Sequence, residues 1–150
     1  MRAVIQRALS ATVHVSGEPI GSIGKGLLVF LAVEDSDTPE DVEWLTAKLS
    51  SMRLFDDANR IPNLSIRDVD GSFLIVSQFT LFASTRKGNR PSYSRAARPD
   101  IAVPLYESFI SQLRTVSGCA VEIGKFGADM QVSLVNDGPI TILIDTKVKE

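Results

Sequence analysis

The sequence predicts one compact α+β domain over residues 1–150. Its sheet is expected to be largely antiparallel and layered like a barrel, with two main helices packed on one side. Three observations predict this. The chain has 150 residues, 44% hydrophobic and 23% charged, the size and balance of a single globular domain with a real core. Two stretches carry apolar residues at helical spacing. The remaining apolar runs are short, strand-like and joined by short connections.

The first third reads as strands. Thr12-Val13-His14-Val15 alternates polar and apolar residues, as a half-buried strand does. Glu18 to Ile23 follows the turn residue Gly17. Leu27 to Val33 is continuously apolar, so both faces of that strand are expected to be covered. Gly21-Ser22-Ile23-Gly24-Lys25-Gly26 has the wrong glycine spacing for a phosphate loop and lacks a Ser or Thr after the lysine, so a turn between strands is expected.

The first helix has Thr38 as cap, Pro39 at its first position and Asp41 in its first turn. Val42, Leu45, Leu49 and Met52 form its apolar stripe. A second helix follows Asp100, with Leu105, Phe109, Leu113 and Val116 on its buried face and Gly118 as its stop. Phe73 to Phe82 reads as a strand between the helices. Val121 to Ile123, Met130 to Val135 and Ile140 to Ile144 read as strands after them.

Several function classes recede on composition. The only cysteine, Cys119, excludes an internal disulfide and fits a reducing compartment. The only histidine is His14 on an early strand, which disfavours a Ser–His–Asp arrangement. Asp56-Asp57-Ala58-Asn59 lacks the glycine and distal glutamate of a calcium loop and reads as a solvated turn. No Cys/His cluster supports zinc, so no metal is expected. The first fifteen residues lack an uninterrupted apolar run like that of a secretory signal, and Leu27 to Val33 is too short to cross a bilayer. A cytoplasmic location, away from any membrane, is expected. A net charge of -2 argues against a general nucleic-acid coat, but Gly71 to Pro99 holds no Asp or Glu and carries Arg86, Lys87, Arg90, Arg95 and Arg98. Taken alone, that stretch is a solvated basic loop.

Two segments attract chemical interest. If Phe73 to Phe82 is a strand, Gln78 and Thr80 project side by side from one face. Taken alone, Thr80 suits a strand and Gln78 needs only a neighbour to bond. Asn136-Asp137-Gly138-Pro139 separates two strand-like runs and reads as a tight turn. Glycine permits close backbone approach, and a Gly-Pro bond can be cis at modest cost; the residues alone do not choose the isomer.

Together, Ser77-Gln78-Phe79-Thr80-Leu81 and Asn136-Asp137-Gly138-Pro139-Ile140-Thr141 resemble, in that order, two segments of the D-aminoacyl-tRNA deacylases. Met1 to Arg7, Thr85 to Ser92 and Gly127 to Val132 also resemble family segments, so the likeness covers nearly the whole chain. It implies a homodimer that hydrolyses the ester between a D-amino acid, or glycine, and the 3′-terminal adenosine of tRNA. No metal or cofactor is implied. The resemblance assigns catalysis to the Ser77, Gln78, Phe79 and Thr80 segment. Backbone N–H groups near Phe79 and Thr80 would assist, together with the substrate's own 2′-hydroxyl. Chiral selection would come from a Gly–cis-Pro wall, here Gly138 and Pro139, reached across the dimer interface. By the same matching, Phe126 and Met130 would line the adenosine pocket. With tRNA as substrate, the acid-free basic run, Arg86 and Lys87 in particular, is expected to meet the acceptor end. Two rivals remain: a non-catalytic tRNA- or RNA-binding protein, and a small esterase with Thr80 as nucleophile. The latter lacks an evident base to activate the hydroxyl.

Overall fold

A computed structural model describes residues 1–150. The first strand, β1 (Arg2–Val15), is much longer than the alternation at Thr12 to Val15 suggested. Ala3 and Ile5 face one apolar cluster, while Ala8, Ala11 and Val13 enter another. Register shifts on either side of Ala8, against the last strand of the chain, fall between the two clusters. At Ser16 and Gly17 both φ angles are positive, and this two-residue reversal leads into β2 (Glu18–Ile23).

Strand β3 (Gly26–Ala32) pairs antiparallel with β1 and is covered on both faces, as its unbroken apolar run requires. Leu27, Val29 and Leu31 face the larger cluster, and Leu28 faces the smaller. Next comes α1 (Pro39–Ser51), where Asp41 Oδ2 accepts the Thr38 N–H at 2.9 Å. Val42, Leu45 and Leu49 are buried and Met52, just beyond the helix, is half-buried. The hairpin β4 (Phe55–Asp56) and β5 (Pro62–Leu64) contains the acidic turn, in which Asp57 Oδ1 accepts the Asn59 N–H at 2.8 Å.

Strand β6 (Ser72–Ser77) runs parallel to β3. After it come α2 (Pro99–Ser117), β7 (Val121–Ile123), parallel to β6, and β8 (Gln131–Asp145), antiparallel to β1. The sheet order is β2-β1-β3-β6-β7, with β8 on the other side of β1. Antiparallel pairings dominate. The two parallel ones arise because α1 and α2 are crossovers, each returning the chain to the same end of the sheet. The sheet curls toward closure: a Cβ on Gly21 of β2 would stand 2.7 Å from the Ile123 carbonyl oxygen of β7. Both helices pack on one face, where Leu45, Leu49, Phe109 and Leu113 join β1, β3 and β6 in the larger cluster.

Three sequence expectations need correction. The strand expected over Phe73 to Phe82 ends at Ser77, and a 3₁₀ turn occupies Phe79–Phe82. The tight turn expected at Asn136 to Pro139 is instead an irregular part of one continuous strand, β8. Asn136 Nδ2 donates to the carbonyls of Arg7 at 2.9 Å and Ile140 at 3.0 Å, linking the ladder across a stretch where Pro139 has no N–H. On α2, Val116 is exposed, and Tyr106 and Ile110 join Phe109 and Leu113 in the core. Gly118 ends that helix, as expected.

The two chain ends meet at the start of α1. The Met1 ammonium is buried, pairs with Asp37, and donates to Thr146 Oγ1 at 2.6 Å. Lys147 Nζ lies 2.6 Å from Asp41 Oδ2. Burial alone would raise the Asp41 pKa. Hydrogen bonds from Lys147, Thr146 and the Thr38 backbone, with the nearby ammonium, outweigh it and hold the carboxyl well below its ordinary range. A depressed folded-state pKa means stability that is present above the unfolded value near 4 and is lost as pH falls below it. Asp41→Asn is therefore expected to cost about 1–3 kcal/mol at neutral pH. Its unfolding midpoint in urea should also decline less steeply than the wild type's as pH drops below about 4; parallel acid limbs would refute the assignment.

Candidate active site

The site begins where β6 stops. Ser77 is the last residue of β6 paired with β3, opposite Leu31. The Gln78 N–H still donates to the Leu31 carbonyl at 2.8 Å, and then the chain turns into the 3₁₀ segment. Within that turn the Leu81 N–H returns to the Gln78 carbonyl at 3.2 Å and the Ala83 N–H to Thr80 at 3.0 Å. The N–H groups of Phe79 and Thr80 precede these bonds and find no acceptor in the chain. Free donors at the start of a helical turn suit negative charge.

The turn is held firmly. Phe82 is fully buried, with the guanidinium groups of Arg2 and Arg95 4.7 and 5.5 Å from its ring centroid. Arg2 also donates to the Leu81 carbonyl at 3.0 Å. Gln78 Nε2 donates to Thr80 Oγ1, so the two side chains meet as expected, although through a turn rather than a strand face. No histidine, lysine or carboxylate accepts the Thr80 proton. His14 sits on β1 opposite Pro19 and Gln131 and does not line the pocket.

Beside the turn lies a mostly apolar pocket of about 310 Å³. Ser77, Gln78 and Phe79 meet Phe126 and Met130 there, so the pocket unites five of the residues singled out from sequence. Phe126 and Met130 belong to the connection between β7 and β8. The Lys125 N–H donates to Met130 Sδ at 3.4 Å, and the Gly124 N–H donates to the Ile75 carbonyl at 2.9 Å. Tyr106 of α2, absent from the sequence-based set, also lines the pocket and meets Phe126 edge-on at 5.5 Å between centroids. Burial pushes its hydroxyl up to about 12, and that hydroxyl faces the Ile75 carbonyl at 3.4 Å. It stays protonated at neutral pH.

Gly138 and Pro139 lie elsewhere on the same chain. Their bond is cis, and both residues are exposed. Asn136 pairs with Ala8, and Ala8 with Gly26, whereas Ser77 pairs with Leu31. Gly138 and Pro139 fall between the Asn136–Ala8 and Thr141–Gln6 pairs, opposite Arg7, which pairs with Leu27; that level is offset from Leu31 by four residues, about 13 Å along the strand. Arg7 braces the segment from beneath. It is nearly fully buried, its Nε lies 2.9 Å from Asp137 Oδ2 without being aimed along a hydrogen bond, and NH1 donates to the Leu54 carbonyl at 2.6 Å. Gly138 has a φ of +116°, and a Cβ there would stand 3.0 Å from Ile140 Cγ1 and 3.3 Å from Arg7 NH2. The signal for Arg7 in sequence was a cation within an apolar strand, where burial demands partners.

Arg86 and Lys87 occupy an exposed loop closed by reciprocal Ser84 and Ser92 backbone bonds of 2.8 and 2.9 Å. They do not line the pocket, and neither they nor Arg90 forms an ion pair. Arg95 does pair, with Glu34 at 3.4 Å. Cys119 is half-buried with Ser117 as its neighbour and does not line the pocket. No three His, Cys, Asp or Glu side chains gather as metal ligands would, and no helix is long and apolar enough to cross a membrane.

Comparison with known proteins adds a consistent result. The sequence model of a family described as D-Tyr-tRNA(Tyr) deacylase matches residues 4–145. The D-aminoacyl-tRNA deacylase of Akkermansia muciniphila is 57% identical, and that of Flavobacterium psychrophilum 53%, each over 150 residues and the full length of both chains. A solved structure described as c-Myc DNA unwinding element binding protein superposes with a TM-score of 0.90 at 39% identity, covering 97% of this chain and 98% of that one. Another, of a probable eukaryotic D-amino acid tRNA deacylase, reaches 0.84 at 19% identity, covering 95% and 97%, a likeness of fold.

Proposed function

The chain belongs to the D-aminoacyl-tRNA deacylase family, and from that premise we propose how its residues carry out the hydrolysis. The enzyme removes the D-amino acid from mischarged tRNA. The observation that carries the mechanism is the pair of free N–H groups at the start of the turn, that of Phe79, which lines the pocket, and that of Thr80 next to it. Phe126 and Met130 hold the terminal adenosine. Ser77 and Gln78 position the ester against the turn. Water attacks the carbonyl carbon, and the two N–H groups bind the oxyanion that forms. The ribose 2′-hydroxyl orients the water and relays its proton. Collapse breaks the bond to the 3′-oxygen, which takes the proton, releasing the amino acid and tRNA with a free 3′-hydroxyl. Thr80 supplies its main chain, because its hydroxyl already accepts from Gln78 and meets no base. No step passes through a metal or cofactor.

Chirality is read by a second copy of the chain. Gly138 and Pro139 stand exposed and do not line their own pocket, so in the proposed homodimer they enter the partner's. Strand β8 bonds only to β1 and leaves Val135 and Leu143 largely exposed, an apolar edge suited to a symmetric partner. A main-chain wall excludes the wrong substituent on the α-carbon whatever its chemistry, which a side-chain pocket cannot do. Glycine has no substituent to exclude and is accepted. The enzyme works in the cytoplasm, where tRNA is charged.

Incubation with D- and L-tyrosyl-tRNA should release only the D-amino acid. Thr80→Ala should keep activity within about tenfold, whereas a substrate ending in 2′-deoxyadenosine should react about a hundredfold slower or worse. Release from neither enantiomer would favour a non-catalytic RNA binder. An amino acid trapped on Thr80 would favour the esterase reading.

Arg86 and Lys87 meet phosphates of the acceptor end. Replacing both with alanine should weaken tRNA binding and reduce the slope of log affinity against log salt by about one to two. An unchanged slope leaves the loop merely solvated.

The shared site also predicts complementation. A Gly138→Ala chain and a Phe126→Ala chain, each inactive alone, should recover activity when refolded together, because one site of the mixed dimer then has an intact pocket and an intact wall. Recovery is absent if each site lies within one chain.

A further inference from the structure

Six of the seven phenylalanines are buried or half-buried. The exception is Phe79, 57% exposed although it sits on the firmly anchored turn at the pocket wall. Its ring meets Tyr93, itself 40% exposed, edge to face at 5.2 Å between centroids and 77° between planes. Tyr93 is held in place. It follows the Ser84–Ser92 bridge directly, and its carbonyl accepts the Ala96 N–H at 3.1 Å. A T-shaped pair leaves a ring face open to solvent, where an apolar surface of this size is costly unless something covers it.

The surroundings identify the chemistry of what covers it. The loop closed by that bridge carries Arg86, Lys87 and Arg90, all exposed and without ion pairs. Gly71 to Pro99 contains no carboxylate. An aromatic face beside unpaired cations, in a segment that carries no carboxylate of its own, suits a single-stranded nucleic acid: bases stack on rings while phosphates meet cations. Because Phe79 both lines the pocket and reaches solvent, a chain leaving the pocket on that side crosses the pair first.

We propose that Phe79 and Tyr93 form a stacking platform for the nucleobase immediately 5′ of the terminal adenosine, with Arg86, Lys87 and Arg90 taking the phosphates beyond it. This rests on the deacylase reading and adds a second nucleotide subsite to it. The platform tells a tRNA end from a lone aminoacyl-adenosine, and it is indifferent to base identity because every base has a π-face.

The test compares D-tyrosyl-tRNA with D-tyrosyl-adenosine. Tyr93→Leu should lower the ratio of their kcat/KM values about five- to a hundredfold, the range of one lost stacking contact. Tyr93→Phe should preserve the ratio. In parallel, a short RNA with 2-aminopurine immediately 5′ of its terminal adenosine should lose fluorescence on binding the wild type and keep it with Tyr93→Leu. An unchanged ratio, an equal fall for both substrates, or quenching that survives Tyr93→Leu would overturn the platform; a change in oligomeric mass with an equal fall would assign the pair to the subunit contact. If the wild type hydrolyses neither substrate, the deacylase reading fails, and the fluorescence still decides whether the platform binds a base.

Discussion

The fold depends on β1 being paired along both of its edges. One edge is shared in sequence, with β3 taking Arg2 to Ala8 and β2 taking Ala11 to Val15. The other edge belongs to β8 along nearly its whole length. A buried backbone must place its N–H and C=O groups somewhere, and here one strand provides the partners for three others. Through β3 the arrangement positions β6, and therefore the point at which the chain leaves the sheet at Gln78. Through β8 it positions Gly138 and Pro139. Both halves of the proposed site are thus aligned to one strand, and Arg7 of that strand braces the second half directly.

The helices were legible because several local signals agreed. Thr38, Pro39 and Asp41 mark a start, and Val42, Leu45 and Leu49 mark a face. The end of β6 was not legible. Phe79, Leu81 and Phe82 are apolar residues that a strand accepts as readily as a turn, and the decisive event is a hydrogen bond from Gln78 to a distant strand. The continuity of β8 was hidden for a related reason. Asn136, Asp137, Gly138 and Pro139 are turn formers by local chemistry, yet β1 holds them in line and the Asn136 side chain links the carbonyls around them. The parallel pairings were hidden because local patterns record which segments are strands and not how crossovers return them.

The site was legible in a different way. Its residues were found through motif likeness, and their chemistry alone would not have exposed them. A search for perturbed titratable groups favours Asp41, which belongs to the junction of the chain ends. The shifted group that the pocket does hold, Tyr106, is pushed further from neutrality by burial. Arg7 and Tyr106 escaped because an arginine on a strand and a tyrosine on a helix stripe are ordinary until their burial is known.

The free donors of the turn beside the pocket belong to the main chain, and this shapes how the protein can vary. No side-chain replacement deletes an amide hydrogen, apart from one to proline. Sequence drift at Thr80 alters what surrounds the donors and leaves the donors in place. The vulnerable positions are those that set the path of the turn, such as the buried Phe82 and the arginines stacked on it. Loss of activity in a mutant library would then map to packing around the turn more than to the residues that touch the substrate, and an inhibitor anchored on those amides would leave few routes to resistance that spare the reaction.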